Sequence, residues 1–305
     1  MPEPIAPRPK LQQGSRIAIV SPASAAKAEL VDQGRAALAA YGYNSIVMPH
    51  ALDRGPLYCA GTAAHRAADL HAAFADPTID GILCTRGGWG SAELLPLLDA
   101  ALIRANPKVF AGYSDHTSLH IYLWNECALP TSYAPMAAAD WSNPNGVDDR
   151  TWRAAIHGDS PWTVSAADGL RTLQPGQAEG RLLGGCLSIL AESLGTPYAF
   201  RLTEPIILFL EDINTKPYQW DRMIQHLRFA GLLDNVKGIV FGDTTANIQP
   251  SELPLLEAAC LHALRDFKGP IAIGLQSGHV NQQNRSLPLG AWVTMDEDTL
   301  SEIKQ

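Results

Sequence analysis

Cysteine is scarce in this sequence and shows no pairing pattern. There are five cysteines among 305 residues, an odd number, none of them forms a C-x-x-C motif, and the spacings between them are wide. This fits neither a disulfide framework nor a zinc ribbon. We therefore predict reduced thiols, with Cys84 and Cys260 behaving as small hydrophobic side chains in apolar stretches.

Clustered positive charge and long apolar runs are also missing. The chain has 23 Lys and Arg against 31 Asp and Glu, a net charge of -8, and no basic run that a nucleic acid or an anionic membrane would need. No apolar run approaches the roughly 20 residues of a membrane span. Residues 1–16 carry four prolines and no apolar core, unlike a signal peptide. These absences predict a soluble, cytoplasmic protein without a nucleic-acid or membrane partner.

The first half of the chain alternates apolar strand candidates with helix candidates four times. The strand candidates are RIAIV (16–20), SIVM (45–48), IDGILCT (79–85) and KVFAG (108–112). Thr62 is the predicted cap, and Pro77 the predicted stop, of the helix between the second and third strands. This alternation predicts an α/β domain with a doubly wound parallel sheet, of the Rossmann-like or flavodoxin-like kind.

The pattern dissolves between about residues 142 and 180, where the sequence is polar and rich in Gly and Pro. At 46% hydrophobic content, the chain is long enough for two cores. We predict an N-terminal α/β domain over 1–160, a linker over 161–180, and a smaller, β-rich α+β domain over 181–305.

Two motifs follow predicted strands directly, at the sheet edge where ligands collect. RGGWG (86–90) can form a tight turn, or let backbone N–H groups approach a ligand, with Arg86 able to hold a carboxylate. Ser114 follows KVFAG and opens a helix, so it is either an N-cap or a nucleophile facing free N–H groups. The match G-Y-S-D-H lacks the second glycine of the nucleophile elbow G-x-S-x-G, which argues against an α/β-hydrolase but leaves other serine hydrolases open.

A nucleophilic serine needs a base and an acid that orients it. His279 lies in a polar loop behind a glycine, and Glu211 ends the apolar run PIILFL. Each has an ordinary alternative, a surface histidine and a solvated strand end. His116 and His120, four apart on a helix candidate, are a rival metal-binding pair, although H-E-x-x-H and an obvious third ligand are both missing.

Five sequence blocks then occur in a fixed order: AGTAAHRAADLHAAF…RGGWGSAELL, AGYSDHT, EGRLLGGCLSILAESLGTPY, LFLEDINTKPYQWDRMIQHLRFAGLL and GHVNQQNRSLPLG. Together they resemble the LD-carboxypeptidase family, serine peptidases of the muramoyltetrapeptide carboxypeptidase type. The resemblance runs from about residue 16 to 300. It implies a Rossmann-like N-terminal domain and a smaller β-rich C-terminal domain.

The resemblance also implies roles for individual residues. Ser114 would be the nucleophile, His279 the base and Glu211 its orienting acid, with the backbone N–H groups of Gly88 and Asp115 as oxyanion donors. No metal or cofactor would be used. The substrate would be a cytoplasmic murein tetrapeptide of peptidoglycan recycling, cut before its terminal D-alanine, and the protein would be a homodimer.

Two residues depart from the family pattern. Cys186 stands where the family usually has asparagine, and Trp89 where tyrosine is commoner. Neither is part of the triad, but Cys186 removes an amide near the site and could alter substrate fit, and Trp89 is a candidate for substrate binding together with Arg86. Two other functions stay open. Related enzymes cleave acyl-sulfamoyl or aminoacyl nucleotides in self-immunity, and Trp89 or Trp220 could stack on such a base. The other is a non-catalytic, two-lobed binding protein.

Overall fold

The computed structural model describes residues 4–55 and 57–303, which divide into two compact units. The first unit comprises Met1–Ser160 with Gln283–Pro288, and the second Pro161–Gln282 with Leu289–Gln305. The strands, in chain order, are β1 Arg16–Val20, β2 Asn44–Val47, β3 Gly81–Cys84, β4 Val109–Gly112, β5 Thr131–Tyr133, β6 Thr163–Val164, β7 Arg171–Gln174, β8 Gln177–Cys186, β9 Ile206–Glu211, β10 Val236–Gly242, β11 Ile271–Leu275, β12 Leu287–Leu289, β13 Trp292–Asp296 and β14 Thr299–Glu302. The α-helices are α1 Ala28–Tyr41, α2 Ala63–Ala75, α3 Ala100–Ala105, α4 Thr117–Cys127, α5 Asp149–Trp152, α6 Leu187–Ser193, α7 Pro217–Phe229 and α8 Leu253–Ala263.

The first unit contains a six-stranded sheet in the order β12-β5-β4-β3-β1-β2. The five strands from β1 to β5 pair in parallel, and the residues of β3 and β4 are buried throughout, as expected for strands covered on both faces. The doubly wound parallel sheet predicted from the alternating pattern is therefore confirmed. Because β3 and β4 are neighbours, the loops that follow them leave the sheet side by side.

Local sequence signals explain the ends of the first unit's helices. The chain leaves α1 through Gly42, whose φ of 103° is left-handed and whose N–H bonds back to the last turn. Thr62 caps α2 by accepting a hydrogen bond from the His65 N–H. The segment SAELLPL forms a 3-10 helix, Ser91–Leu97, ahead of α3.

The second unit contains an eight-stranded mixed sheet in the order β6-β14-β13-β8-β9-β10-β11-β7. Its centre, β8 to β11, is parallel and is connected through α6, α7 and α8. Antiparallel strands flank this centre on both sides. Every residue of β9 is buried, which places Glu211, its last residue, at the edge of an apolar core.

The segment 161–180, predicted to be a linker, carries β6, β7 and the start of β8. The strands β6 and β7 leave little signal in the sequence because they are short and form the two edges of the sheet, and β7 has no buried residue, so apolar alternation is weak. Residues 283–288 belong to the first unit although they follow most of the second in sequence. No local pattern reports such a return of the chain.

Within the described ranges 4–55 and 57–303, no helix is both long enough and apolar enough to cross a membrane.

Candidate active site

Ser114 lies two residues beyond the end of β4 and is the first residue of a 3-10 helix, Ser114–His116. Tyr113 occupies the N-cap position, and the helix has no side-chain cap. The interpretation of Ser114 as an N-cap is therefore wrong. Ser114 is half-buried between two buried neighbours, Tyr113 and Asp115, which leaves it partly accessible at the carboxyl edge of the sheet.

The backbone of Ser114 is left-handed, with a φ of 66°. This region costs a residue with a Cβ about 1–2 kcal/mol relative to ordinary conformations. The Ser114 N–H donates a 3.0 Å hydrogen bond to the hydroxyl oxygen of Tyr133, a fully buried residue at the end of β5. A neighbouring strand thus holds Ser114 in a strained conformation, as is often seen at nucleophiles and ligand clamps.

We predict that the free energy of unfolding of Ser114→Gly is about 1 kcal/mol larger than that of Ser114→Ala, because only glycine adopts the left-handed region without strain. Urea denaturation of the two variants measures this difference. Equal stability, or a more stable alanine variant, would contradict the strain at Ser114.

The glycine loop after β3 packs directly against Ser114. A Cβ built on Gly87 would lie 2.8 Å from the Ser114 Cβ, 3.0 Å from its Oγ and 3.6 Å from the Asp115 N. Only glycine permits this approach. The two motifs that the sequence placed at neighbouring strand ends therefore form one site within the first unit.

Asp115 and His116 hold the glycine loop through hydrogen bonds to Arg86 and Ser91, at its two ends. The Asp115 carboxylate accepts a 2.8 Å hydrogen bond from the Ser91 N–H, where the loop ends. The His116 Nε2 donates to the Arg86 carbonyl at 3.0 Å, and its Nδ1 accepts from the Ser91 hydroxyl at 3.0 Å. Burial raises the pKa of Asp115, although its hydrogen bonds to Ser91 partly offset this. The residues that follow Ser114 thus brace both ends of the loop it contacts.

His116 and His120 are buried, neutral structural residues. The His120 Nε2 donates to the Gly112 carbonyl at 2.9 Å, and its Nδ1 accepts from the Thr131 hydroxyl at 2.8 Å. Burial lowers the pKa of His116 to about 3 and that of His120 to about 4. Because protein groups engage both nitrogens of each ring, this pair has no lone pair to offer a metal.

These two histidines should make the fold acid-sensitive. In the unfolded chain a histidine takes up a proton near pH 6.5, whereas the folded rings resist it until about pH 4 and 3. Their contribution to the free energy of unfolding is therefore fully present above pH 6.5 and decreases as the pH falls below 6.5. At pH 5 each histidine should lower the free energy of unfolding by about 2 kcal/mol relative to neutral pH.

The variant His120→Gln tests this, since its amide can still donate to the Gly112 carbonyl. The loss of unfolding free energy between pH 7 and pH 5, measured with urea, should be about 2 kcal/mol smaller than in the wild type. An unchanged pH dependence would contradict the assignment.

Arg86 and Trp89 are the exposed side chains of the glycine loop, and Trp89 is 44% exposed. The Trp89 N–H donates to the Ser24 hydroxyl at 3.1 Å, which ties the loop to the segment after β1. Gly88 between them has a φ of 118°. Trp220, by contrast, is fully buried, and its indole N–H donates to the Thr215 hydroxyl. The prediction that Trp220 could stack on a base is therefore wrong.

Glu211 and His279 form a hydrogen-bonded pair in the second unit. The His279 Nδ1 donates to the Glu211 Oε2 at 2.7 Å, and the same oxygen accepts the His279 backbone N–H at 3.1 Å. The acid is 1% exposed and the histidine side chain 15%. Donation from Nδ1 to a carboxylate selects the tautomer whose basic lone pair is on Nε2. The predicted orienting acid and base are therefore brought together.

A glycine makes room for this pair. Gly278 has a φ of 89°, and a Cβ there would lie 2.6 Å from the Glu211 carboxyl carbon. Both the backbone conformation and the close approach require glycine. This is the structural reason for the glycine that precedes His279.

Asp212 has a different role from its neighbour Glu211. Its carboxylate accepts 2.7 Å hydrogen bonds from the Ser188 and Ile213 N–H groups, and so caps the start of α6 from outside the helix. Burial raises its pKa. Cys186, the N-cap residue of α6, pairs with Glu211 across β8 and β9, and burial raises the pKa of its thiol. The departure at Cys186 thus lies beside the acid.

The structure groups the predicted site residues into two sets. Ser114, Asp115 and the loop from Arg86 to Trp89 belong to the first unit, and the Glu211–His279 pair to the second. Sequence reasoning missed Tyr133 and Ser24, whose hydroxyls hold Ser114 and Trp89. Both residues are distant in sequence from the motifs that they support, and no local pattern links them to those motifs.

Curated relatives match nearly the whole chain. A candidate carboxypeptidase of Streptomyces coelicolor is 37% identical over 294 residues, which cover 95% of this chain and 93% of the relative. A candidate murein peptide carboxypeptidase of Bacillus subtilis is 32% identical over 298 residues, covering 95% and 91%. The murein tetrapeptide carboxypeptidase of Pseudomonas aeruginosa is 28% identical over 300 residues, covering 93% and 94%.

Solved structures share the fold. An MccF-like protein from Bacillus anthracis superposes with a TM-score of 0.89 at 24% identity, covering 98% of this chain and 99% of its own. The microcin C7 self-immunity protein MccF, in complex with glutamyl sulfamoyl guanosine, gives 0.86 at 22% identity and covers 99% of both chains. The muramoyltetrapeptide carboxypeptidase of Oxalobacter formigenes gives 0.81 at 24%, covering 94% and 97%.

Two domain descriptions match this chain in order. The LD-carboxypeptidase N-terminal domain matches residues 17–134, and the LD-carboxypeptidase C-terminal domain matches residues 179–295. Together the matched segments span most of the chain. The protein therefore belongs to the LD-carboxypeptidase family.

Proposed function

We propose that this protein is a serine-type LD-carboxypeptidase that removes the terminal D-alanine from murein tetrapeptides. The observation that carries the serine mechanism is the conformation of Ser114, a left-handed, half-buried serine at a strand end with Gly87 packed against it. Relatives named as murein peptide carboxypeptidases support the substrate class.

In the proposed reaction, the Ser114 Oγ attacks the carbonyl carbon before D-alanine while His279 Nε2 accepts the serine proton. The proposal requires the two units to bring these groups together. Glu211 keeps the imidazole in the required tautomer and stabilises the imidazolium. The C–N bond breaks as His279 returns the proton to the D-alanine amine, and an acyl ester on Ser114 remains. Water, deprotonated by His279, then attacks the ester, which releases the shortened peptide and restores the serine.

The negative charge on the attacked oxygen needs backbone donors. We assign the Gly88 and Asp115 N–H groups to this role, since the glycine loop and the residue after Ser114 are adjacent. The exposed Arg86 guanidinium is the proposed partner of the D-alanine carboxylate, which it could bind with two parallel hydrogen bonds. Trp89 would line the same entrance.

The cellular setting is part of the proposal. Cleavage of murein tetrapeptides belongs to peptidoglycan recycling in the cytoplasm, and we propose that the protein acts there as a homodimer. The absence of basic runs, together with the net charge of -8, supports a small peptide substrate over a nucleic acid.

Hydrolysis of acyl-sulfamoyl nucleotides is the second candidate function. The exposed Trp89 ring, on which a base could stack, favours it. The test compares kcat/KM for a murein tetrapeptide and for glutamyl sulfamoyl guanosine, in the wild type and in Trp89→Ala. The proposal predicts at least about a hundredfold preference for the tetrapeptide. A preference for glutamyl sulfamoyl guanosine that is lost in Trp89→Ala would contradict the peptidase proposal and support the nucleotide reaction. Binding of both compounds without turnover of either one would indicate a non-catalytic binding protein.

Because the proposed reaction uses only side chains and backbone amides, we predict that EDTA leaves kcat unchanged. The assay compares D-alanine release before and after dialysis against chelator. Strong inhibition that added Zn²⁺ reverses, in chelated protein that circular dichroism shows to be folded, would contradict a reaction that uses no metal.

A further inference from the structure

A second cluster of polar side chains lies in the first unit, outside the residues assigned to catalysis. His50 and Asp53 lie in the turn after β2, and His65 lies in the first turn of α2. The Asp53 Oδ2 is 2.9 Å from the His50 Nδ1 and 3.3 Å from the His65 Nδ1. We propose that these three residues bind a divalent transition-metal cation of the Zn²⁺ class, a function separate from the peptidase reaction.

The distances between the donor atoms suit one cation. With metal–ligand bonds of about 2.0–2.2 Å, two ligand atoms are about 3.0 Å apart at a right angle and about 3.4 Å apart at a tetrahedral angle. The two nitrogen–oxygen separations, 2.9 and 3.3 Å, match this range. One ligand atom from each of the three residues lies within 4.8 Å of those from the other two. The imidazole rings stack with centroids 4.0 Å apart, so that both nitrogens face the same carboxylate.

The backbone around the cluster positions its members in advance. The His65 N–H donates to the Thr62 cap, which fixes that residue on α2. The Asp53 N–H donates to the His50 carbonyl and closes the turn, while the His50 N–H donates to the buried Asp69 carboxylate. A site preformed in this way loses little entropy when it takes up a cation.

The cluster is also accessible, in contrast to His116 and His120. The side chains of His50, Asp53 and His65 are 32%, 39% and 50% exposed. A cation can therefore enter from solvent and keep water in its other coordination positions. Two imidazoles and one carboxylate favour Zn²⁺, Co²⁺ or Ni²⁺ over Ca²⁺ or Mg²⁺, which prefer oxygen ligands only.

An occupied site would tie the turn after β2 to the start of α2. The loop between them pairs with the segment after β1, through the Ala25 N–H to the Tyr58 carbonyl and the Ala60 N–H to the Ala23 carbonyl. Ser24, in that segment, holds Trp89 of the glycine loop. Cation binding should therefore stabilise the fold of this region, and raise the melting temperature as the cation concentration exceeds Kd.

The test is calorimetric titration of chelator-treated full-length protein with ZnCl₂, in the wild type and in Asp53→Asn, His65→Gln and His226→Gln. His226 is an exposed histidine on α7 and serves as the matched control. We expect one saturable equivalent in the wild type and the control, and affinity more than about tenfold weaker in the two cluster variants. Circular dichroism checks that each variant is folded.

Co²⁺ substitution gives an independent reading of the ligands. The proposal predicts a visible spectrum without a thiolate charge-transfer band, because the ligands are nitrogen and oxygen. A thiolate band, no saturable Zn²⁺ binding, or equal affinity in folded Asp53→Asn and wild type would each overturn the site. Both measurements report cation binding alone, so their outcome does not depend on whether the protein cleaves murein peptides.

Discussion

Ser114→Ala should lower kcat for D-alanine release by about 10⁴-fold or more, because the variant lacks the oxygen atom that forms the acyl ester in the proposed reaction. His279→Ala and Glu211→Ala should each lose most of kcat as well. The proposed reaction uses the three residues as one unit, so a double variant should lose little more than the worse of its two single variants. The measurement is steady-state release of D-alanine from a murein tetrapeptide.

Matched variants separate chemistry from folding in that experiment. Ser118 is a buried serine on α4 and His226 an exposed histidine on α7, so Ser118→Ala and His226→Ala should keep near wild-type kcat. Independent losses that multiply in the double variants, or a Ser114→Ala protein that still releases D-alanine, would contradict the proposed catalytic unit.

Gly87→Ala should lower kcat/KM by about a hundredfold while the protein still folds. The added methyl would meet the Ser114 Cβ at 2.8 Å, whereas unstrained carbon atoms lie about 3.5–4.0 Å apart. Ser114 must therefore move by most of an ångström. Gly87 does not adopt a positive φ, so the substitution tests the contact alone and not backbone strain.

A stability measurement locates the cause of that loss. Gly87→Ala should destabilise the wild type by about 1–3 kcal/mol through overpacking. In a Ser114→Gly background the clashing Cβ is gone, so the same substitution should cost much less. An equal cost in both backgrounds would show that the methyl clashes with something other than Ser114.

The strand ends that carry the site could be predicted from the sequence because buried parallel strands leave short apolar runs. KVFAG and PIILFL placed Ser114 and Glu211 at strand ends, and the structure has both there. Glu211 and His279, 68 residues apart, were candidates from their local settings, each with an ordinary alternative, and the family resemblance favoured their pairing over those alternatives.

Other features depend on pairings that no local pattern encodes. The left-handed conformation of Ser114 is held by Tyr133 from a neighbouring strand, and serine is not a residue type that signals a positive φ. The edge strand β7, within 161–180, has no buried residue and so leaves no apolar alternation in the sequence. Glu211 accepts a hydrogen bond from His279, whereas Asp212 accepts one from the Ser188 N–H at the start of α6. Two adjacent acids in a sequence do not reveal which of them has which partner.

Mass spectrometry of a murein tetrapeptide incubated with the protein shows whether this chain is a serine-type LD-carboxypeptidase. We predict that the wild type converts the tetrapeptide to a species lighter by one alanine residue, with free D-alanine as the second product. Folded Ser114→Ala should give no conversion over the same time. An unaltered tetrapeptide with the wild type, or the same mass loss with Ser114→Ala, would contradict the assignment of this chain as a serine-type LD-carboxypeptidase.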